Sequence, residues 1–237
     1  MDIFLDGFSK AYQLLVEPAA SVWVPLLKTL QITGIAIFIT LITGLPLGLF
    51  LGLSEFKGKQ LIVVILNTGM GLPPVVVGLF VSLLLWRSGI FGSLRLMYTP
   101  MAMILAEIVI ALPLVTGFTF ASVRNLNEKL KWQILSFGAS KIEMYKKILI
   151  EGRIAFAAAV IAGFGGIISE VGAAMMVGGN IEGQTRVLTT AIVLETRSGH
   201  FDVAIALSMI LLSLTLLINV GMTRIQKENV AWNRIWP

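Results

Sequence analysis

Five apolar runs, each of about 20 residues or more, leave a chain like this few folds to choose from, because that length as a helix crosses a hydrocarbon layer. They occupy residues 27–53, 61–86, 100–123, 154–178 and 203–222. In lipid no water is available to bond backbone N–H and C=O groups, and a helix satisfies them within the segment itself. Only 13% of the 237 residues are charged and the mean hydropathy is +0.90, a balance that expects lipid as solvent. The expected fold class is therefore an all-α integral membrane protein, residues 1–237 forming one domain with five transmembrane helices.

Charge sets the expected topology. The net charge of +5 would suggest nucleic acid in a soluble protein, but here the basic residues fall between the apolar runs. Lys57 and Lys59 follow the first run, and Arg124, Lys129, Lys131, Lys141, Lys146, Lys147 and Arg153 follow the third. Arg224, Lys227 and Arg234 follow the fifth. The opposite gaps hold only Lys10, Lys28, Arg87, Arg95, Arg186 and Arg197. By the positive-inside bias the N-terminus is expected outside and the C-terminus in the cytoplasm, across the cell membrane. Residues 1–26 lack the basic start and apolar centre of a secretory signal and are expected to lie amphipathically at the bilayer surface. With no cysteine, disulfides, thiolate metal sites and cysteine nucleophiles are excluded.

Small residues mark where helices should meet. Gly44, Gly48 and Gly52 recur every fourth residue, as do Gly165, Ser169 and Ala173, and both stripes predict close backbone packing. Gly69, Gly71, Pro73, Pro74 and Gly78 interrupt the second run, and Pro113 and Gly117 the third. Proline frees a carbonyl that only packed protein or a wet cavity can satisfy at membrane depth, so Pro73, Pro74 and Pro113 are either pathway elements or plain kinks. Glu107 and Glu170 sit in apolar runs, where an ionised carboxylate costs about 2.5–3.5 kcal/mol. The expected role is bonding between helices or capping a broken helix end, with a gate as the alternative. The uncharged polar groups in these runs are the hydroxyls of Thr68, Ser82, Thr116, Thr119, Ser122 and Ser169, each able to line a path and each more commonly bonded back to its own helix.

The segment 124–153 carries the most information. Asn125 with Glu128, and Ser140 with Glu143, have capping-box spacing, and Gly138 between them suits a helix stop. Two short helices are expected. On the second, Ile142, Tyr145, Ile148 and Leu149 form an apolar face and Lys141, Lys146 and Lys147 project elsewhere. Periodicity alone leaves two options open for it, resting in the headgroups or docking on a partner. His200, the single histidine, has no neighbour with which to hold a metal, and no P-loop is present: Gly52 to Gly58-Lys59 has the wrong spacing and is followed by Gln60.

Gly138-Ala139-Ser140, with Ile148-Leu149-Ile150 beginning ten residues after the glycine, resembles the cytoplasmic signature loop of ABC-importer permeases. That loop holds a Glu-Ala-Ala triplet ahead of the glycine and an Ile-x-Leu-Pro ending; here Trp132-Gln133-Ile134 and Ile150-Glu151 stand in those positions. The resemblance implies that 138–148 (Gly138, Ala139, Ser140, Lys141, Ile142, Glu143, Met144, Tyr145, Lys146, Lys147 and Ile148) couple the chain to a separate ATPase subunit. Ser169-Glu170-Val171-Gly172-Ala173, followed by Gly179-Asn180-Ile181-Glu182-Gly183-Gln184-Thr185-Arg186-Val187-Leu188, resembles the molybdate and tungstate branch of those permeases. It implies two copies of this chain around a path, two ATPase subunits, and an external oxyanion-binding protein docking on loops 87–99 and 179–202. The implied function is a permease without enzymatic activity or cofactor, passing tungstate or molybdate. Sulfate or phosphate as cargo, an ATP-independent channel, and an intramembrane enzyme are the rival readings; the last would need a nucleophile with its base, which the runs do not contain.

Overall fold

The structure, a computed structural model, describes residues 9, 10, 12–14, 20–125, 136, 138 and 140–232; for 20, 125, 141, 142, 145, 149, 151, 153–155 and 225–232 only the backbone is described. Ala139, the Trp132-Gln133-Ile134 positions, Glu128 of the first capping pair and most of the expected surface segment lie outside the described residues.

Helix α4, Pro100–Asn125, is the hub, packed by five other spanning or half-spanning elements. Pro100 opens it at a position where the missing N–H costs nothing. Against it lies α1, Ala20–Leu53, whose 34 residues make a rod of roughly 50 Å at 1.5 Å per residue. Their contact follows the first glycine stripe. A Cβ on Gly44 would stand 3.1 Å from Val115, one on Gly48 2.6 Å from the Thr119 Cβ, and one on Gly52 2.5 Å from Val123. The bare backbone of α1 thus receives the side chains of α4 turn by turn.

The second run is not one span. It folds as α2, Lys59–Met70, and α3, Pro74–Leu85, bent by 105° across Gly71, Leu72 and Pro73. Pro73 and Pro74 both lack the N–H a continuous helix would need, so the ladder stops and α3 restarts with Pro74 in its first turn. Each half has 12 residues, about 18 Å of helix and too short to cross alone. Pro113 does not stop α4; its ring sits 2.8 Å from where a Gly69 Cβ would be, and Gly117 in turn receives Met70. It is a knob that seats α2.

Helix α5, Lys141–Glu151, is joined through Gly152 alone to α6, Arg153–Ile168. The fourth run is also broken: after Ser169-Glu170-Val171 the chain turns by 58° into α7, Gly172–Gly178. The second stripe is therefore not a packing stripe. Gly165 faces open space, Ser169 is exposed beyond the end of α6, and Gly163 and Gly166 are the residues that meet α4, at Val115 and Leu114. Helices α8, Leu188–Arg197, and α9, Phe201–Trp232, complete the chain.

Among the described residues three helices, α1, α4 and α9, are long and apolar enough to cross a membrane, and counting each bent pair as one span gives five. Every described regular element is helical. Large apolar side chains remain exposed on α1, α2, α3, α4 and α9, Phe38, Ile65, Phe80 and Leu217 among them, as a lipid-facing surface requires. At the other end of the chain Lys10 approaches Asp202 at 3.7 Å, and Leu14 packs with Val22, Leu188 and Leu207. Those described parts of residues 1–26 rest on α8 and α9, and α1 itself begins at Ala20, inside the expected surface segment.

Candidate functional site

Two places concentrate the residues singled out from the sequence, and the first is α5. Gly138 has a φ of +76°, the left-handed conformation that suits glycine at a helix stop. Two residues on, Ser140 starts α5 with a complete capping box. Its Oγ accepts the Glu143 N–H at 3.3 Å, while the Ser140 N–H donates to Glu143 Oε2 at 2.7 Å and Ser140 Oγ–H to the same oxygen at 2.8 Å. The backbone bond from Ser140, then its hydroxyl, hold the Glu143 carboxyl below the usual carboxylate range.

One side of α5 is fastened to its own chain. Met144 and Ile148, one turn apart, are buried with Leu49 near the end of α1, Val123 near the end of α4, and Phe156 of α6; Leu45 and Leu53 pack against the cluster. Gly152 leaves room for the Phe156 ring, which a Cβ there would meet at 2.7 Å. Full burial of side chains of this size stabilises by about 1.5–3 kcal/mol each. The other side carries Glu143, Lys146, Lys147 and Ile150, all exposed at positions i, i+3, i+4 and i+7. This is one continuous stripe pointing away from the helices that hold α5. Met144 is the anchor that the periodicity reading omitted. Its four-residue spacing from Ile148 is the signal that could have found it, whereas the side chains of Lys141, Ile142, Tyr145 and Leu149 lie outside the described residues.

The second place is where the two bent pairs meet. Helix α3 lies against α7: a Cβ on Gly78 would be 2.6 Å from Ala173 Cα, and Gly172 abuts Val75. This brings Pro73 and Pro74 at one break close to Ser169 and Glu170 at the other. Glu170 Oε1 accepts the Ala173 N–H at 2.8 Å, satisfying a donor that the break exposes at the start of α7. Thr189 of α8 donates to the Glu170 carbonyl at 3.0 Å and ties the same break to the following loop. The remaining hydroxyl candidates do not converge there. Thr68, Ser122 and Ser169 donate to the carbonyl four residues back in their own helices. Thr116 and Thr119 are buried under the glycine ladder of α1, and Ser82 lies on α3.

Glu107 is buried between α1 and α4, where Thr33 Oγ1 donates to its Oε1 at 3.4 Å. His200 Nδ1 meets Glu195 Oε2 at 2.9 Å, and no group of three or more metal-ligating side chains occurs among the described residues. The motif after α7 is a folded loop. Thr185 Oγ1 donates to the Gly178 carbonyl at 2.6 Å and accepts the Ile181 N–H at 2.9 Å, and Gly179 and Gly183 supply positive φ at its turns. Thr29 of α1 closes it by accepting the Leu188 N–H at 2.9 Å, a partner that no local pattern announces.

Residues 44–228 match the family described as "Binding-protein-dependent transport system inner membrane component". The chain is 36% identical over 228 residues to the tungstate uptake system permease protein TupB of Peptoclostridium acidaminophilum, covering 96% of this chain and 100% of that one. It is 38% identical over 219 residues to TupB of Campylobacter jejuni, with 92% of both chains covered. The molybdenum transport system permease ModB of Escherichia coli is more distant, 24% identical over 218 residues. Among solved structures, the MetNI methionine ABC transporter in inward-facing conformations superposes with a TM-score of 0.69 over 87% of this chain and 95% of its own, at 17% identity. A family match across most of the sequence and relatives above 30% identity along nearly the whole of it agree, on a fold shared with a chain of that transporter: the chain belongs to the binding-protein-dependent transport system inner membrane components, multi-pass permeases.

Proposed function

We propose that the chain is the permease subunit of an ATP-binding-cassette importer that passes a tetrahedral oxyanion, tungstate or molybdate, into the cytoplasm. The observation that carries the coupling half of this reading is the two-sided α5, held from within by Met144 and Ile148 and presenting Glu143, Lys146, Lys147 and Ile150 outward. The relatives at 36% and 38% identity support the cargo half.

The proposed mechanism follows from how α5 is held. An ATPase subunit that grips the exposed stripe and moves as it closes on ATP pushes on Met144 and Ile148. Those side chains are wedged among the ends of α1, α4 and α6, so the push reaches three helices at once. Helix α6 is one residue from α5 and leads into the break at Ser169-Glu170-Val171, which lies against α3. Two copies of the chain, each with its own ATPase subunit, enclose the path between their bent pairs. The N-terminus and loops 87–99 and 179–202 lie outside, where a binding protein delivers the anion, and the C-terminus lies in the cytoplasm.

Purified permease and ATPase subunits in liposomes, given external binding protein and tungstate, are expected to accumulate tungstate only when ATP is enclosed. Uptake that proceeds without nucleotide or without the ATPase subunit rejects the importer assignment.

A further inference from the structure

The loop between α3 and α4 carries two arginines that the coupling mechanism does not use. It is tightly wound: Gly89 N–H donates to Trp86 O at 2.7 Å, Phe91 N–H to Leu84 O at 2.9 Å, Gly92 N–H to Gly89 O at 3.0 Å, and Arg95 N–H to Gly92 O at 3.1 Å. A Cβ on Gly89 or Gly92 would collide with carbonyl oxygens, so the winding depends on both glycines. Beside it opens a cavity of about 1160 Å³ lined by Trp86, Arg87, Ser93, Arg95 and Tyr98, with Leu85, Gly92 and Met97 as apolar wall.

Three observations give this cavity a chemistry. First, Arg95 and Tyr98 hold φ values of 51° and 63°, and both line the same space; non-glycine residues in that region persist where the surroundings over-determine them, commonly at binding sites. Second, the charge is unbalanced. Loop 87–99 contains no acid, and the carboxylates of loop 179–202 are engaged, Glu182 with Arg186 at 3.3 Å, Glu195 with His200 at 2.9 Å and Asp202 with Lys10 at 3.7 Å. Third, the cavity is joined to the broken helices: Tyr98 N–H donates to the Val177 carbonyl at 2.9 Å, and the Tyr98 ring stands where a Gly179 Cβ would be.

We propose that the Arg87–Arg95 cavity is an oxyanion-holding vestibule at the outer mouth of the permease, which takes a tetrahedral dianion during its transfer from the binding protein to the path. The guanidinium groups offer forked N–H donors matched to adjacent oxygens of a tetrahedral anion, and Ser93 and Tyr98 add hydroxyl donors. Both arginines are exposed, so water and salt weaken their grip, and the anion is held without being trapped. The vestibule rests on the importer reading and on loop 87–99 lying outside.

Trp86 in the wall supplies the probe. In the permease–ATPase complex in phospholipid-free detergent, sodium tungstate is expected to quench tryptophan emission, with half-saturation moved about tenfold higher in 1 M sodium chloride. The quench is absent in W86F and in the double variant R87Q/R95N, whose asparagine tolerates the positive φ at position 95. A lipid phosphate offers the same oxygens, so the titration is repeated in phosphatidylcholine nanodiscs; persistence there assigns the cavity to the anionic cargo, and disappearance there overturns it in favour of headgroups. In proteoliposomes with binding protein, R87Q/R95N is expected to move about tenfold less tungstate per ATP hydrolysed, within the range that charged clefts contribute. If uptake and hydrolysis fall in proportion, the arginines hold the binding protein instead and the vestibule is rejected. Labelling of R87C in intact cells by a membrane-impermeant maleimide keeps the failures apart. No labelling from outside defeats the topology beneath the proposal, whereas labelling from outside without quench defeats the vestibule alone.

Discussion

The two halves of this molecule are built on opposite principles. The frame of α1 and α4 consists of unbroken helices in which glycine on one receives Val115, Thr119 and Val123 of the other along its length. The bent pairs, α2 with α3 and α6 with α7, interrupt their own hydrogen-bond ladders in mid-run and meet where both are broken. The frame derives its strength from close backbone approach. The bent pairs must restart after each break, α3 with Pro74 in its first turn and α7 with Glu170 accepting the Ala173 N–H. A rigid frame beside hinged pairs is what a device that opens and closes requires, and α5 hangs from the frame while leading directly into a hinged pair.

This contrast can be tested from its strongest point to its weakest. Ile148→Ala unfastens α5 from the frame and is expected to destabilise the purified protein by about 2–5 kcal/mol, read as a lowered thermal midpoint in detergent. Ile150→Ala, on the exposed stripe, is expected to stay within about 0.5 kcal/mol yet reduce ATP-driven uptake. Equal thermal losses for the two would mean that α5 has no inner and outer side. Next, Gly48→Ala drives a Cβ into Thr119 and is expected to cost about 1–3 kcal/mol, while Gly165→Ala, facing open space, costs little. Thermal midpoints that order the pair the other way would remove the distinction between frame and bent pair.

At the hinge, Glu170→Ala removes the acceptor at the start of α7 and is expected to cost about 0.5–2 kcal/mol, whereas Glu170→Gln keeps an oxygen there and preserves assembly. Loss of the assembled complex in the glutamine variant would show that the charge itself is needed. The smallest effect belongs to Glu143. Its carboxyl is held below the ordinary 4.5 by the Ser140 bonds, so its contribution is complete at neutral pH and is lost as pH falls through that lowered value. The thermal midpoints of wild type and Glu143→Gln should therefore differ at pH 7 and converge in acid; a gap that widens on acidification contradicts the capping account.

Much of this architecture was legible because its causes are local. Apolar run length located the three long helices and both bent pairs, and Ser140 with Glu143 announced the start of α5 by spacing alone. The Gly44, Gly48 and Gly52 stripe read correctly since α1 continues unbroken through it. The same four-residue spacing at Gly165, Ser169 and Ala173 misled, because α6 ends at Ile168 and the stripe does not share one helix face. Pro73 and Pro74 signalled an interruption, but its 105° angle is set by partners far along the chain: Pro113 seating Gly69, and Ala173 seating Gly78. Met144 escaped notice for a related reason. Which face of α5 turns inward is decided by Leu49, Val123 and Phe156, none of which lies within α5.

The claim on which all of this turns is that the outer stripe of α5 is held by an ATPase subunit. The chain has no native cysteine, so Lys146→Cys creates a unique thiol. Paired with single cysteines scanned along the ATPase surface and oxidised in membranes, it is expected to form a heterodimeric crosslink whose yield changes when ATP is trapped, while a cysteine at lipid-exposed Leu217 forms none. Absence of any crosslink from position 146, with uptake intact, would contradict the account.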